Sequence, residues 1–391
     1  MSAMDASSHG GTATPAPVRS AIIGTGFMGD VHSRAVRAAG GTVAAVIGRS
    51  ADAAADGARR FGAAAGFTSL GDALDAGGID VVHVCTPNST HVELTRQAIT
   101  AGVNVICEKP IATSAKDARD LAALAASAGV VNAVPFAYRF YGPVREARAR
   151  VRAGGAADVR LIHGSYLQDW LSRPEDTSWR IDPSLGGRSR AFGDIGVHWC
   201  DLVEFVTGHR ITRLNAQLMV LPRPRAPKSG TEDAAVIQFV TDHGAIGSTV
   251  ISQISPGRKN RLWFSIDTAQ ASYQFDQEIP DSLWIGGRGQ NVVLPRATED
   301  AMTTARYDLV PTGHPQGYQD CFTNFVRDVH DAVRGESPDG LPVFADGLRA
   351  ASLTEAVLES ARTGAWVEPE PSSMAAVAGV ANLDLVRPAR R

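Results

Sequence analysis

The 391-residue chain predicts an α/β domain built on a parallel sheet, followed by an α+β domain with a large, mainly antiparallel open sheet. Three observations carry this. A glycine cluster, Gly24-Thr25-Gly26-Phe27-Met28-Gly29, lies between an apolar run, Val18 to Ile23, and a helical pattern through Val31, Ala35, Val36 and Ala38. Apolar strands then alternate with alanine-rich helical stretches as far as Pro135, the texture of successive βα units. After Pro135, β-like runs follow one another without helices between them, as in an antiparallel sheet.

Strand, tight turn and helix in that order are what a dinucleotide fingerprint requires, so residues 18–137 read as a Rossmann domain. Gly24 allows the turn, Gly26 lets the backbone approach a pyrophosphate, and Gly29 lets helix and strand pack closely. Phe27 and Met28, inside the motif, count with the cofactor contacts. The next strands are Thr42–Ile47, Asp80–Cys85 and Val103–Cys107, with helices over Asp52–Phe61 and His91–Ala101. A helix around Ala115–Ala128 and a strand over Val130–Val134 complete the unit. Residues 138–368 form the substrate and oligomerisation domain, with strands Arg160–Leu167, Ala234–Phe239, Ala245–Ser252, Leu262–Asp267 and Ala271–Phe275. Two helices end it: Gly317–Val333, and a terminal one at about 346–362, stopped by Gly364 and expected to pack back on the Rossmann domain. Residues 1–17 and 369–391 read as tails, with Val377–Val386 able to dock weakly.

Composition narrows the function. The formal net charge is −3 and no long basic run stands out, so the electrostatic footprint of a nucleic-acid binder is missing. The densest basic stretches, Arg145–Arg152 and Pro222–Lys228, read as a solvated helix face and a loop. No apolar run reaches membrane-spanning length and the first residues lack a signal-peptide core, which points to a cytoplasmic protein with no membrane partner. The four cysteines, at 85, 107, 200 and 321, form no CxxC pair, so neither a disulfide framework nor a metal is expected. A scattered zinc site on His198, Cys200 and His209 is conceivable but has the weaker case.

The chemistry-bearing residues come next. Glu108-Lys109-Pro110 closes an apolar strand and puts Lys109 where a nicotinamide ring would lie, with Glu108 beside it. Asp194 and His198, in Gly193-Asp194-Ile195-Gly196-Val197-His198, are four apart and project from one face if a helix begins there. Each has a bland reading: a helix cap for Asp194, a satisfied core residue for His198, a solvated strand end for Lys109. Removing a hydroxyl proton while hydride leaves needs a base near neutrality and a cation at the oxygen, so His198 is the candidate base and Lys109 the candidate electrophile. Asp194 would orient the imidazole or pair with a substrate hydroxyl. Thr86, Pro87 and Asn88 should line the nicotinamide ribose, and His91, beginning the next helix, counts with the cofactor contacts. Tyr138, Arg139, Gln168, Trp170, Trp179 and Arg180 are candidates for the substrate wall. The second strand ends Val46-Ile47-Gly48-Arg49-Ser50, without the carboxylate that would hold a ribose 2′-OH. Arg49 and Ser50 suit a 2′-phosphate, which favours NADP(H) over the alternative NAD(H).

Taken in order, GxGxxG, Cys85-Thr86-Pro87-Asn88 with His91, Glu108-Lys109-Pro110 and Asp194-x-x-x-His198 resemble the glucose–fructose oxidoreductase, inositol dehydrogenase and rhizopine-catabolism family (Gfo/Idh/MocA). The resemblance runs from Val18 to about Trp366 and implies that Lys109, Asp194 and His198 form a catalytic group. In members that use NAD, an arginine at the position of Arg49 stacks on adenine. The stretch Tyr166-Leu167-Gln168-Asp169-Trp170, with Ser178-Trp179-Arg180, further resembles members acting on anhydrosugars such as levoglucosan. The implied activity is NAD(P)-dependent interconversion of a secondary alcohol and ketone on a sugar, anhydrosugar or cyclitol. Two rivals remain open: an NAD-dependent glycosidase working by transient oxidation and elimination, and a non-catalytic NADPH-sensing regulator. An open sheet face favours a homodimer or homotetramer.

Overall fold

A computed structural model describes residues 15–155, 158–222, 230–299, 301–303 and 305–371. The expected docking stretch Val377–Val386, and the loop over Pro222–Lys228 beyond Pro222, lie outside the described residues.

The glycine turn starts the first sheet. β1 (Arg19–Ile23) runs into α1 (Phe27–Ala38), then β2 (Thr42–Ile47), α2 (Ala51–Phe61), β3 (Ala65–Phe67), α3 (Leu70–Asp75), β4 (Val81–Val84), α4 (His91–Thr100), β5 (Asn104–Cys107), α5 (Ala115–Ala128) and β6 (Asn132–Ala133). All six strands are parallel, in the order β3-β2-β1-β4-β5-β6. Valine, isoleucine and alanine fill β1, β2, β4 and β5 because both faces of a parallel sheet are covered by helices. Ser50, Ser69 and Ser114 accept backbone N–H bonds and cap α2, α3 and α5. β6 is shorter than its sequence suggests: the Val131 amide goes to the Asn104 side chain and the Val134 amide to Pro342.

α6 (Gly142–Gly154) leads to β7 (Val159–Leu167), a short α7 (Pro183–Gly186) and α8 (Val197–Thr207). β8 (Ile211–Met219), β9 (Ala234–Thr241), β10 (Ile246–Ser252), β11 (Arg261–Thr268), β12 (Ser272–Asp276), β13 (Ser282–Gly286) and β14 (Asn291–Pro295) follow, then α9 (Tyr318–Val333) and α10 (Phe344–Thr363). The second sheet has eight strands, ordered β14-β13-β12-β11-β7-β10-β9-β8. Neighbours are antiparallel except β10 and β7. One face buries Ile162, Ile237, Phe239, Leu262, Phe264 and Phe275 against the helices. The other leaves Val236, Val250, Ile246 and Val293 exposed, the alternation expected of a sheet covered on one side. Gly164 makes room for α8. A Cβ there would lie 2.7 Å from Trp199 Nε1, and that indole donates to the Trp263 carbonyl at 2.9 Å.

Charged residues tie the layers together from within. Arg349 of α10 clamps Glu204 of α8, whose carboxylate also takes the Ile211 amide at the start of β8. α10 also touches the first sheet's flank, where Glu355 accepts the Ala115 amide that opens α5. The basic stretch Arg145–Arg152 is solvated only in part, at Arg152, where the sequence predicts a solvated face throughout. Arg145 and Arg148 are buried, Arg145 over the rings of Phe140, Phe205 and Tyr307, Arg148 paired with Asp339. Long apolar stems let guanidinium groups serve as core material when the head finds acceptors. Cys200 is buried in α8, and His209 pairs with Thr241 and stacks on His243. That places His209 a helix-length, roughly 16 Å, from His198, so the conceivable zinc cluster is not assembled.

Gly29 is the tightest point of the nucleotide turn: a Cβ there would stand 2.1 Å from the Gly24 carbonyl and 3.1 Å from Phe61. Gly29→Ala should therefore destabilise the protein by about 1–3 kcal/mol. Urea unfolding measures this, and an unchanged midpoint would mean that the turn is free to relax.

Candidate active site

The C-terminal ends of β1, β4 and β5 face the strand ends of the second sheet across a cleft of about 1330 Å³. Open parallel sheets bind ligands at such a crevice. Gly24, held at φ +104°, turns the chain so closely past β4 that a Cβ would meet the Cys85 carbonyl at 2.5 Å. A Cβ on Gly26 would have nothing within 4 Å among the described residues. The N-terminus of α1 is therefore open to a phosphate at that point. Phe27, Met28, Arg49, Thr86, Pro87, Asn88 and His91 also line the cleft.

Several of these have other duties. His91 lies between the carbonyls of Pro110 and Thr86, at 2.7 and 2.8 Å, so it braces the β4 and β5 ends. Asn88 donates to the Gly186 carbonyl at 2.8 Å, joining this edge to α7 on the far side of the cleft. Ser50 does not line the cleft; its hydroxyl caps α2 by accepting from the Ala53 amide. Gly48 has no room for any side chain, since a Cβ would stand 2.6 Å from the Ala54 amide nitrogen.

Lys109 and Asp194 meet at the centre. Lys109, at the end of β5, donates to Asp194 Oδ1 at 2.6 Å and to the Asp194 carbonyl at 2.8 Å. An ammonium has three N–H donors, so one is left for a ligand. Asp194 sits in a π turn (Phe192–Gly196) that runs directly into α8. Burial opposes its ionisation, but Lys109 and Arg180 outweigh this and hold it far below the ordinary carboxylate range. Its second oxygen, Oδ2, accepts from Gln253 at 2.8 Å, and Arg180 approaches Oδ1 at 3.4 Å. Asp194 therefore orients Lys109, not the imidazole.

His198, one turn on, is packed edge-on against Phe136 and Tyr138. Burial, reinforced by the Lys109 charge and opposed by Asp194, pushes its pKa well below the ordinary histidine value. Its Nδ1 is buried with no hydrogen-bond partner among the described residues, which leaves Nε2 as the nitrogen available to a cleft ligand.

Behind Lys109 runs a buried chain of four side chains. With Glu108 as a carboxylate, His32 Nε2 donates to Oε1 at 3.0 Å, and His32 Nδ1 must then accept from His83 Nδ1, also at 3.0 Å. His83 Nε2 in turn accepts from the Ser20 hydroxyl at 3.1 Å. Both imidazoles are neutral in this arrangement, in keeping with the depressed pKa that burial gives His83. Glu108 Oε2 takes the Lys109 amide at 3.1 Å, which anchors the lysine's backbone.

Of the expected substrate residues, Tyr138, Gln168, Trp170, Trp179 and Arg180 line the cleft. Arg139 does not. It points into the core, paired with Asp201 and Asp346 and lying over Phe205. Sequence reasoning passed over Asn260, which joins Tyr138 and Tyr166 in a closed cycle. Tyr138 donates to Tyr166, Tyr166 to Asn260 Oδ1 at 2.7 Å, and Asn260 Nδ2 back to the Tyr138 oxygen at 3.3 Å. Gln168 adds a donor to Asn260 at 2.7 Å, and Trp170 donates to Gln168 at 2.8 Å. The wall thus presents aromatic surface whose polar tips are already satisfied among themselves. Among the described residues no cluster of histidine, cysteine, aspartate or glutamate is arranged to hold a metal, and no helix is long and apolar enough to cross a membrane.

Comparison with known proteins places this geometry in a family. Residues 18–136 match the oxidoreductase family, NAD-binding Rossmann fold (GFO_IDH_MocA), and residues 144–274 match the GFO/IDH/MocA C-terminal domain. The levoglucosan dehydrogenase of Pseudarthrobacter phenanthrenivorans is 29% identical, over 89% of this chain and 97% of its own length. The crystal structure of an oxidoreductase domain protein from Kribbella flavida is 32% identical with a TM-score of 0.84, covering 91% of this chain and 100% of that one. A levoglucosan dehydrogenase in complex with NADH and levoglucosan superposes with the same TM-score of 0.84 at 28% identity, over 91% of this chain and 100% of that one. With both family domains matched in order and the whole architecture shared, the chain belongs to the Gfo/Idh/MocA family of oxidoreductases.

Proposed function

We propose that this enzyme interconverts a secondary alcohol and a ketone on a neutral polyhydroxylated ring, a sugar, anhydrosugar or cyclitol, with a nicotinamide dinucleotide as partner. The observation that carries this reading is the Lys109–Asp194 pair, with His198 one turn away, in the same cleft as the glycine turn. The open backbone at Gly26 and the N-terminus of α1 fit a pyrophosphate, and the β4 and β5 ends fit the nicotinamide half. When bound, the cofactor supplies the hydride acceptor or donor. His198, neutral through burial, takes the hydroxyl proton at Nε2. Lys109 uses its remaining N–H to stabilise the negative charge that develops on the substrate oxygen. Asp194 holds that ammonium in place. The aromatic wall of Tyr138, Tyr166, Trp170 and Trp179 suits the C–H faces of a ring. Levoglucosan as substrate is supported by the relative's complex; a sensor without chemistry would have no use for the three side chains together.

For the cofactor, we favour NADP(H). Position 48 cannot carry the carboxylate that holds a ribose 2′-OH, and Arg49 stands at the rim of the cleft. A homodimer or homotetramer would cover the open face of the second sheet, where Val236 and Val250 are exposed cross-strand partners.

Two outcomes follow. A panel of neutral pyranoses, anhydrosugars and inositols should contain a compound oxidised with reduction of the cofactor, read from nicotinamide absorbance; the kcat/KM profile for it should hold its acid limb below pH ~6.5, because burial keeps His198 unprotonated until its depressed pKa is passed. A limb above that value, or one that survives His198→Asn, places the base elsewhere. Arg49→Ala should weaken NADP(H) binding by roughly ten- to a hundredfold, the value of a charge-assisted hydrogen bond, and NAD(H) by much less. Calorimetric titration with both cofactors decides this, and equal losses would mean that Arg49 only stacks on adenine.

A further inference from the structure

Gln253 follows directly on β10 and is fully buried. Its backbone is fixed on both sides, the amide donating to the Asp233 carbonyl at 3.0 Å and the carbonyl accepting from Leu171 at 3.1 Å. The side chain has two polar neighbours of opposite kind. Arg190 Nη1 donates to Oε1 at 3.2 Å, and Nε2 donates to Asp194 Oδ2 at 2.8 Å. Only this orientation is permitted: a flipped amide would set N–H against a guanidinium and a carbonyl against a carboxylate.

Arg190 is itself held by buried partners. It is buried, ion-paired with Asp233 and within 3.4 Å of Thr231 Oγ1. The neighbouring Glu232 accepts from the Ser189 hydroxyl and from the amides of Arg190 and Phe192 at 2.7–3.0 Å, which pins the start of the π turn that carries Asp194. Asp194 is thus approached from one side by Lys109 and Arg180 and from the other, among the described residues, by Gln253.

We infer that Gln253 is a positioning residue for the reaction: backed by the Arg190–Asp233 pair, it fixes the Asp194 carboxylate as a pure acceptor whose Oδ1 holds Lys109 at the reacting oxygen. The inference rests on the proposed role of Lys109 and Asp194, and it adds a specific demand on residue 253. The side chain must donate toward Asp194 and accept from Arg190 simultaneously, and glutamine does both without charge.

Glutamate can meet that demand only when protonated. Its O–H then replaces the amide N–H toward Asp194 while its carbonyl accepts from Arg190. Once ionised, it faces a second carboxylate. The groups that bear on this titration are Asp194 with Lys109, Arg180 and His198 around it, and Arg190 with Asp233 and Glu232 behind it.

The test compares folded wild type, Gln253→Leu and Gln253→Glu, checked by thermal melting and by unchanged cofactor binding. Gln253→Leu should lose about ten- to a hundredfold in kcat, the value of a hydrogen bond to a charged group. Gln253→Glu should lose activity progressively as pH rises, opposite in slope to the wild type's acid limb. A Gln253→Leu protein with wild-type kcat, or a Gln253→Glu profile parallel to the wild type, overturns the proposal. A readout independent of turnover is the carboxyl ¹³C resonance of Asp194, assigned with Asp194→Asn. In Gln253→Leu the carboxylate loses the donor at Oδ2, so its resonance at neutral pH shifts from the wild-type position; an unmoved resonance also overturns the proposal. Wild-type inactivity on every polyol would defeat the functional reading while this resonance still decides the role of Gln253.

Discussion

The ion pair between Lys109 and Asp194 is the constraint on which the site depends. The lysine ends a strand of the parallel sheet and the aspartate sits in a π turn between the second sheet and α8. Their 2.6 Å contact spans the cleft between the two layers. Neither charge is exposed enough to be solvated freely, and a buried charge deprived of its partner is strongly destabilising. The pair therefore fixes a relative placement of the two sheets as well as a chemical group.

Each partner is backed by its own buried network, of different electrostatic kind. Behind Lys109 the Ser20–His83–His32–Glu108 chain can be satisfied with both histidines neutral, so it contributes one negative charge close to the lysine. Behind Asp194 the Gln253–Arg190–Asp233 run is neutral overall and ends in an amide donor. The two networks leave the cation at the cleft with a donor to offer. The histidine beside it, shielded among aromatic rings, keeps its lone pair at neutral pH.

How much of this was legible in the sequence follows from the range of the interactions. The parallel sheet was readable because its signals are local: the glycine turn, the apolar strands and the alanine-rich helical stretches between them. Lys109, Asp194 and His198 were readable from the order of short motifs. Arg139 was misread because it adjoins Tyr138, and successive residues in that turn point to opposite sides, one to the cleft and one into the core against Asp201. β8 escaped notice because a register shift between Ile211 and Arg213 breaks its alternation. Gln253 and Asn260 had no signal at all. Each follows or precedes a strand, and its partners are brought to it only by the pairing of β7 with β10 and β11. The nearest hint was Glu232-Asp233 ahead of an apolar strand, two acidic residues that the fold satisfies separately, Asp233 with Arg190 and Glu232 with Ser189 and backbone amides.

A double-mutant cycle on Lys109→Met and Asp194→Asn, read in kcat/KM for hydride transfer, tests the claim that these two residues act as one unit. The account predicts strong non-additivity, with the double mutant losing no more than the worse single mutant, because either change alone already dissolves the pair. Losses that multiply would show that Lys109 and Asp194 act independently, and would contradict the account at its centre.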